Sequence, residues 1–334
     1  MNVTELLEMA HGNMTVFDSI AKAHHVLSTH DNIAVSISGG SDSDVVLDLI
    51  YKVNQTTKTT VHYIWFDTGL EYQATKRHLE FLEKKYNITI ERQKAVKPIP
   101  LSCRQHGQPF LNKFVSEQMG RLQKNGFQWE DEPLEVLCSK YPNCKSALKW
   151  WCNQYTIDKG FEKVSRFDIG YNKHLKEFII ANPPQFNIAN KCCTYAKKNV
   201  SKKFIKENGI DCMIIGIRRA EGGIRSAVYK NCFNHCKSDC DNYRPIFWYS
   251  DQDKIDYEQL FDVTHSDCYA KYGMVRTGCA GCPFNRKFEE EKHTIETFEP
   301  KLCGAINKIF GDSYEYTRKY KQFCLEQKEK RIAN

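Results

Sequence analysis

The sequence has no apolar run that approaches the roughly 18 residues of a membrane span. Its first segment, MNVTELLEMAHGNM, carries acids and a histidine where a signal peptide needs a basic start and an unbroken apolar stretch. Internal repeats at solenoid periods and low-complexity stretches are missing as well, which argues against a repeat architecture. We therefore expect a cytoplasmic protein with no membrane partner.

Cysteine, by contrast, is abundant, with 15 among 334 residues. Hydrophobic residues make up 41% of the chain and the formal charge is only +7, so a sizeable core can form. Disulfides are rare in the cytosol, and the enrichment therefore indicates metal binding, catalysis or redox sensing. The alternative is that most of these cysteines are small buried side chains, and their spacing has to decide between the two.

The first third of the chain alternates between strand-like and helix-like segments, which predicts right-handed crossovers and a parallel sheet. The predicted strands are 32–38, 61–67 and 87–93, and the predicted helices are 15–28, 45–53 and 75–86. Strand character returns at 212–217, and further helices are predicted at 253–261 and 313–330.

Prolines interrupt the pattern between about 98 and 165, where we predict a helical insertion into the α/β core. The predicted domains are an α/β domain over 1–290, which contains this insertion, and a C-terminal helical extension over 291–334.

A glycine-rich loop, here called the phosphate loop, joins the first predicted strand to the next predicted helix. At such a place unpaired backbone N–H groups and the helix dipole hold an anion, and glycine lets the main chain approach phosphate oxygens. Bare phosphate would repel Asp42, so we interpret this carboxylate as a magnesium partner. The alternative is an ordinary tight turn. The loop residues are Ser38, Gly39, Gly40, Ser41, Asp42 and Ser43.

The phosphate loop resembles that of the PP-loop ATP pyrophosphatases, which have a parallel-sheet adenine nucleotide alpha-hydrolase-like core. It is not a P-loop, because no G-K-S/T follows and no lysine is placed to reach the terminal phosphates. The resemblance implies ATP and Mg2+ as cofactors and cleavage of ATP between the α and β phosphates. It also implies transfer of AMP to a substrate oxygen with release of pyrophosphate.

Three further motifs resemble those of the phosphoadenosine phosphosulfate (PAPS) reductase family. The segment DTGLEYQAT at 67–75 is similar to its D-T-G-x-E-x-x-x-T segment, and GIRRAEGGIR at 216–225 to its G-x-R-x-x-E-x-x-x-R element. YRPIFW at 243–248 resembles the stretch that closes the family's domain. The resemblance implies that Asp67, Thr68 and Gly69 bind nucleotide with the loop, and that Asp42, Arg218, Glu221 and Arg225 are catalytic. An ordinary strand-to-helix turn at 67–69 and a solvated ion pair at 218–221 are the alternatives.

Two cysteine pairs have the spacing of metal ligands. Cys192 and Cys193 are adjacent, and Cys279 and Cys282 form a distant C-x-x-C. On count alone four thiolates suit tetrahedral zinc or a 4Fe-4S cluster equally. The pattern resembles the ligands of iron-sulfur sulfonucleotide reductases, which favours the 4Fe-4S cluster over Zn2+ and over a free thiol array.

Two further features of the sequence each allow two interpretations. A third group, Cys232, Cys236 and Cys240, is either a second metal site or one face of a helix. The run KCCTYAKKNVSKKFIK at 191–206 holds six lysines and no acid, and it is either an anion-binding surface or a solvated helix face.

The resemblance covers about residues 30–285, but the E-C-G-L/I-H motif of sulfonucleotide reductases is missing, and the last cysteines are Cys303 and Cys324. We therefore predict an ATP pyrophosphatase-type enzyme that adenylates a substrate oxygen for sulfur transfer. The nearest analogues are the subunits of DNA phosphorothioation systems (DndC and SspD types) and iron-sulfur tRNA thiolases. The alternatives are a PAPS or adenylyl-sulfate reductase, and a non-catalytic iron-sulfur sensor.

The expected partners follow from this prediction. They are an adenine nucleotide, a sulfur donor such as a cysteine desulfurase or a thioredoxin-like protein, and DNA or tRNA as candidate acceptors. A homodimer is left open.

Overall fold

The computed structural model describes residues 1–155, 164–222, 228–236 and 240–333. The chain divides into two compact units, each made of two chain segments. The first unit holds Met1–Pro98 and Tyr195–Ala280, and the second holds Ile99–Thr194 and Gly281–Asn334. The predicted domain boundary at 290 stays a prediction.

The first unit is built on a mostly parallel sheet. Its described strands are β1 (Asn32–Ile37), β2 (Thr60–Asp67), β3 (Ile90–Lys94), β4 (Cys212–Ile215), β5 (Phe233–Asn234) and β6 (Asp241–Tyr243). Their order across the sheet is β3-β2-β1-β4-β6-β5, and β5 alone pairs antiparallel to its neighbour. The predicted α/β class with a parallel sheet is therefore confirmed.

Helices in the described residues account for most of the remaining regular structure. In the first half they are α1 (Val3–Met9), α2 (Met14–Thr29), α3 (Ser41–Thr57), α4 (Gln73–Tyr86), α5 (Ile99–His106), α6 (Lys113–Lys124), α7 (Leu134–Lys140) and α8 (Lys145–Trp151). In the second half they are α9 (Leu175–Ala181), α10 (Lys191–Cys193), α11 (Asn199–Asn208), α12 (Asp251–Phe261), α13 (Asp267–Ala270), α14 (Phe288–Phe298) and α15 (Pro300–Ala333). The predicted helices at 15–28, 75–86 and 253–261 are confirmed within two residues of their ends, and the helix predicted at 313–330 is part of the longer α15.

Helix α3 is buried on nearly every side because it packs on the sheet and against α1, α2 and α12. Its apolar residues, such as Val46 and Ile50, are fully buried, and so is Asp48, which lies among them in the sequence. The prediction began the helix at 45, but it starts four residues earlier, directly at the phosphate loop.

The second unit is helical and has its own aromatic core. Trp150, Trp151 and Phe178 are fully buried there, and the ring of Tyr316 of α15 packs in a tilted arrangement against Phe178 with centroids 4.9 Å apart. Helices α5–α8 lie in the segment for which a helical insertion was predicted, and the insertion as a domain feature stays a prediction. None of the helices in the described part of the chain is both long and apolar enough to cross a membrane.

Candidate functional site

The phosphate loop connects the end of β1 to the start of α3 and holds its shape through its own side chains. The Ser38 hydroxyl accepts from the Gly40 N–H at 3.2 Å and donates to the Ser43 hydroxyl at 3.1 Å. Ser43 in turn donates to the Gly40 carbonyl at 2.8 Å. Ser38 and Ser43 therefore use their hydroxyl groups to fix the backbone of the loop.

Two glycines allow backbone approaches that any side chain would block. Gly39 has φ +68°, and a Cβ there would lie 2.6 Å from Cγ2 of Thr75. At Gly216, just after β4, a Cβ would lie 3.0 Å from the Asp42 carbonyl oxygen. The glycines of two separate motifs therefore allow the first turn of α4 and the end of β4 to lie close to the loop.

Two cationic side chains contact the carboxylate of Asp42. Nε of Arg218 donates to Oδ1 of Asp42 at 3.0 Å, and Nζ of Lys254 lies 3.2 Å from the same oxygen. Lys254, from α12, also donates to the Ser41 hydroxyl at 2.6 Å. Asp251 accepts from Arg218 at 2.7 Å and orients the guanidinium. The sequence around the phosphate loop contains no lysine placed to reach a phosphate. The fold supplies one, Lys254, from a helix more than 200 residues further along the chain.

Asp42 also contacts Glu221, so the predicted catalytic residues Asp42, Arg218 and Glu221 lie together. Burial acts to raise the pKa of the Asp42 carboxyl, whereas the hydrogen bond with Glu221 and the two cations lower it. The net effect is a pKa below the ordinary value, so Asp42 is ionised at neutral pH. Arg225, the fourth predicted catalytic residue, lies outside the described residues.

The predicted nucleotide-binding segment at 67–69 follows β2, which pairs in parallel with β1, so it lies at the same edge of the sheet as the phosphate loop. Its side chains make local bonds: Asp67 accepts from the Gly69 N–H at 2.9 Å, and Thr68 donates to Glu71 at 2.5 Å. Burial raises the pKa of Glu71. The turn is therefore well formed, and nucleotide binding by these residues stays a prediction.

A buried ionic network begins at Asp44, which lies with Asp42 in the first turn of α3. Asp44 is almost fully buried, and its Oδ2 lies 2.9 Å from Nδ1 of His265 and 3.1 Å from Nε2 of His78. The other ring nitrogen of His265 is 2.8 Å from Glu258 of α12. Burial alone would lower the pKa of His265, but the two carboxylates outweigh it and raise this pKa to about 9.

The sequence analysis missed Lys254, His265 and the loop contacts of Tyr269, whose hydroxyl accepts from the Ser41 N–H at 3.0 Å. The spacing of Lys254 and Glu258, four residues apart on a predicted helix, was a visible signal for an ion pair. Nothing in the local pattern indicated that the pair lies at the loop.

A second candidate site is a group of thiols in the second unit. The Cys192 thiol forms hydrogen bonds with those of Cys103 and Cys193, and Cys282 is close enough to interact with it electrostatically. The hydrogen bond with Cys103, together with burial, raises the pKa of the Cys192 thiol, whereas the hydrogen bond with Cys193 acts to lower it. Three of the four predicted ligands thus lie in this unit with Cys103, which the sequence analysis did not single out. Cys279 lies in the first unit.

Whether these thiols fit a metal group depends on the kind of group. Within the described ranges, no three or more His, Cys, Asp or Glu side chains surround a position for a single metal ion. A 4Fe-4S core instead takes one thiolate at each of four irons, so its ligands need not converge on one point. Four thiols from three chain segments suit such a core in number and in chemistry.

The third cysteine group does not lie on one helical face, because its described residues include strand β5. The backbone N–H of Cys236 donates to Asp241 at 2.8 Å, and Asp241 lies 3.3 Å from His30. Cys232 lines a cavity of about 210 Å³ with His30. A second metal here stays a prediction.

The lysine-rich run at 191–206 forms α10, a π-helical turn over 194–198 and α11. All six lysines are exposed. One of them, Lys203, lies 3.8 Å from Glu207, which is a weak surface pair. A solvated helix face and an anion-binding surface are both compatible with this exposure.

Comparisons with known proteins bear on the family resemblance. Residues 32–119 match the family model of the phosphoadenosine phosphosulfate reductase domain, which confirms the resemblance inferred from the motifs. No curated protein shows significant similarity to the chain.

Solved structures similar to this chain include three enzymes at low identity. PAPS reductase from Candida auris is 12% identical with a TM-score of 0.42, covering 80% of this chain and 90% of that one. The U34-tRNA thiolase NcsA from Methanococcus maripaludis, solved with its 4Fe-4S cluster, is 13% identical with a TM-score of 0.38, covering 91% and 78%. The NH3-dependent NAD synthetase from Campylobacter jejuni is 11% identical with a TM-score of 0.36, covering 95% and 96%.

Proposed function

We propose that the protein is an ATP pyrophosphatase-type enzyme that adenylates an oxygen of its substrate so that sulfur can replace it. The observation that carries this proposal is the convergence of Arg218 and Lys254 on the phosphate loop. Two cations, one of them a planar guanidinium, are the groups that a triphosphate needs at a helix N-terminus.

In the structure these cations are paired with Asp42 and Asp251. Arg218 bonds Asp42 through Nε and Asp251 through Nη1, and the Lys254 ammonium faces Ser41, Asp42 and Glu258. A phosphate that binds here would therefore replace some of these contacts with its own oxygens. Lys254 would hold the loop hydroxyl of Ser41 and a phosphate together, and Arg218 would neutralise charge that develops as pyrophosphate leaves.

Mg2+ would enter with ATP and would be held by Asp42 and Glu221. The two carboxyls are in hydrogen-bond contact, which requires a shared proton or a cation between them. A divalent cation is the partner that oxygen ligands of this kind prefer.

The reaction has two displacements. First, an oxygen of the substrate attacks the α phosphorus of ATP, the bond to the β phosphate oxygen breaks, and pyrophosphate leaves. Then hydrosulfide supplied by a donor protein attacks the activated atom, a bond to sulfur forms, and AMP leaves with the oxygen. The exposed lysines of the run at 191–206 are the candidate surface for an anionic acceptor such as DNA or tRNA.

A 4Fe-4S cluster completes the proposal, held by Cys192, Cys193 and Cys282, with Cys279 as the fourth ligand on the motif argument. When bound, such a cluster supplies a redox-active iron-sulfur centre. Zn2+ is the alternative occupant.

The second candidate function is sulfonucleotide reduction, which the family match over 32–119 favours. It needs a nucleophilic cysteine, and the remaining candidates are Cys303 and Cys324 in the long helix α15. Cys303 is buried, which limits the access of a substrate to its thiol, and burial raises the pKa of the Cys324 thiol. This argues for the adenylation chemistry. The third candidate function is an iron-sulfur sensor without catalytic activity.

The test is anaerobic purification followed by an assay of pyrophosphate release from ATP, with DNA and tRNA as acceptors. We expect release by the wild type and a loss of at least 100-fold, on the order of 3 kcal/mol, in Asp42→Asn. Asp18→Asn, which removes an exposed carboxylate of the same unit, is the matched control and should retain activity.

Sulfite release from PAPS or adenylyl sulfate, without pyrophosphate release from ATP, would replace this proposal with the reductase. Undiminished pyrophosphate release by Asp42→Asn would remove the phosphate loop from the mechanism.

A further inference from the structure

Three charged side chains lie in a row along one face of α12. Asp251, Lys254 and Glu258 are spaced three and four residues apart, which places them on the same side of the helix. Asp251 accepts from Arg218, and Lys254 contacts the phosphate loop. Glu258, the last of the row, takes no part in the function proposed above, but its carboxylate faces the same lysine.

The ammonium group of Lys254 has three N–H donors and faces three oxygens. Its Nζ lies 2.6 Å from Oγ of Ser41, 3.2 Å from Oδ1 of Asp42 and 3.5 Å from Oε1 of Glu258. In the proposed function the Asp42 carboxylate binds Mg2+, so the contact between Lys254 and Asp42 is the one that a phosphate oxygen can replace. Ser41 and Glu258 then keep the ammonium group in its place.

The carboxylate of Glu258 is itself held by His265. Nε2 of His265 lies 2.8 Å from Oε1 of Glu258, the same oxygen that faces Lys254. The other ring nitrogen, Nδ1, lies 2.9 Å from Oδ2 of Asp44, which is about 1% exposed and belongs to the first turn of α3 with Asp42. The contacts that start at Asp44 therefore return, through Glu258, to the lysine at the same helical turn.

These side chains are largely removed from solvent. The exposed fractions of the Lys254, His265 and Glu258 side chains are 14%, 19% and 21%, so their charges are screened less than those of a surface pair. The segment 265–269 also fixes the loop itself, since the Tyr269 hydroxyl accepts from the Ser41 N–H at 3.0 Å. One segment thus orients both Glu258 and the loop residue that Lys254 contacts.

We propose that Glu258 and His265 are positioning residues that hold Lys254 where it binds a phosphate of ATP. The inference rests on the proposed function for its ligand, but it concerns the binding of ATP rather than the transfer of sulfur. Neither residue touches the phosphate: His265 orients Glu258, and Glu258 fixes the direction of the ammonium group. Without them Lys254 keeps only its contacts with the loop, and ATP binding has to order the lysine again.

The test is a double-mutant cycle on the full chain with Mg2+ and ATP. Titration with ATP in the absence of an acceptor gives Kd, and pyrophosphate release with an acceptor gives kcat and KM. We expect Glu258→Gln to raise Kd and KM about 10-fold and to change kcat much less. In the Lys254→Gln background, the same substitution should change Kd by less than about twofold, because the lysine that Glu258 positions is missing.

The matched control is Asp18→Asn, which removes the acid of another acid–lysine pair four residues apart, Asp18 and Lys22 of α2. It should leave Kd and KM unchanged. His265→Asn should show the same coupling to Lys254 as Glu258→Gln does. Circular dichroism and thermal unfolding establish that each variant is folded, and Glu258→Gln alone decides if His265→Asn is not.

A purely structural role predicts that Glu258→Gln raises Kd by the same factor in both backgrounds, and this result would overturn the inference. Wild-type Kd in Glu258→Gln would overturn it as well. A wild type that binds ATP but releases no pyrophosphate would contradict the proposed function alone, because the cycle in Kd still decides the role of Glu258. A wild type that binds no ATP would overturn both.

Discussion

At the scale of single residues, Asp42 is the side chain that the charged groups of the candidate site contact. It is the first acid of α3, it accepts from Arg218, and it lies beside Lys254 and Glu221. A negative charge at a helix N-terminus is favourable in itself, and here it also orients two cations toward the place where an anion would bind. The residue therefore positions the cations in addition to its proposed part in binding Mg2+.

Replacing Lys254 with glutamine tests the role of the lysine that α12 supplies. We expect kcat/KM for ATP to fall about 10- to 100-fold, because one charge-assisted contact of roughly 1.5–3 kcal/mol is lost. The measurement is pyrophosphate release as a function of ATP concentration. Lys319→Gln, which removes an exposed lysine paired with Glu315 on the surface of α15, is the control. Equal kcat/KM in the two variants would mean that Lys254 does not reach the phosphates.

At the scale of elements, the phosphate loop and α3 depend on a close approach by α4. Gly39 lies in the left-handed region and against Thr75, in the first turn of α4. The position therefore excludes a side chain for two independent reasons, backbone conformation and space.

Gly39→Ala is expected to lower the free energy of unfolding by on the order of 2 kcal/mol and to reduce ATP turnover. Thr75→Ser removes the methyl group that the alanine side chain would contact. The double variant Gly39→Ala/Thr75→Ser should therefore recover the stability lost to this contact, but not the stability lost because alanine disfavours a positive φ. Chemical denaturation of the single and double variants measures both contributions to the free energy of unfolding, the contact with Thr75 and the positive φ. Gly12→Ala is the control, since a Cβ there meets nothing within 4 Å. A Gly39→Ala protein as stable as Gly12→Ala would contradict the argument.

At the scale of the whole molecule, stability should depend on pH through the buried ionic network that begins at Asp44. Both ring nitrogens of His265 face carboxylate oxygens, so the imidazolium form is preferred and its pKa rises from 6.5 to about 9. A pKa raised in the folded state stabilises the protein fully below the unfolded value and no longer does so above the folded value.

We therefore expect the unfolding midpoint of the wild type to fall as the pH rises from about 6.5 to 9, with a loss on the order of 3 kcal/mol. His265→Asn should be less stable than the wild type at pH 6 and should show a weaker dependence across this range. His25→Asn, an exposed histidine on α2, is the control. A pH profile of His265→Asn parallel to that of the wild type would contradict the assignment.

Local sequence patterns are sufficient to predict elements whose residues are neighbours in the chain. The strand at 32–37, the loop and the following helix are adjacent in the chain, so composition and periodicity predicted them. The start of α3 was predicted four residues late because Ser and Asp favour turns and caps as well as first helical turns. The motif at 216–221 was placed correctly after a strand, since the strand and the motif are neighbours in sequence.

The sequence by itself determined the parallel α/β architecture, the phosphate loop and the two cysteine pairs, because each is a short pattern with its own physical cause. Only the tertiary structure decided which distant groups meet: Lys254 with Ser41, His265 with Asp44, and Cys103 with Cys192. These contacts join segments that lie from about 90 to more than 200 residues apart. No local periodicity carries such information, because the contacts arise from the packing of helices against the sheet and against each other.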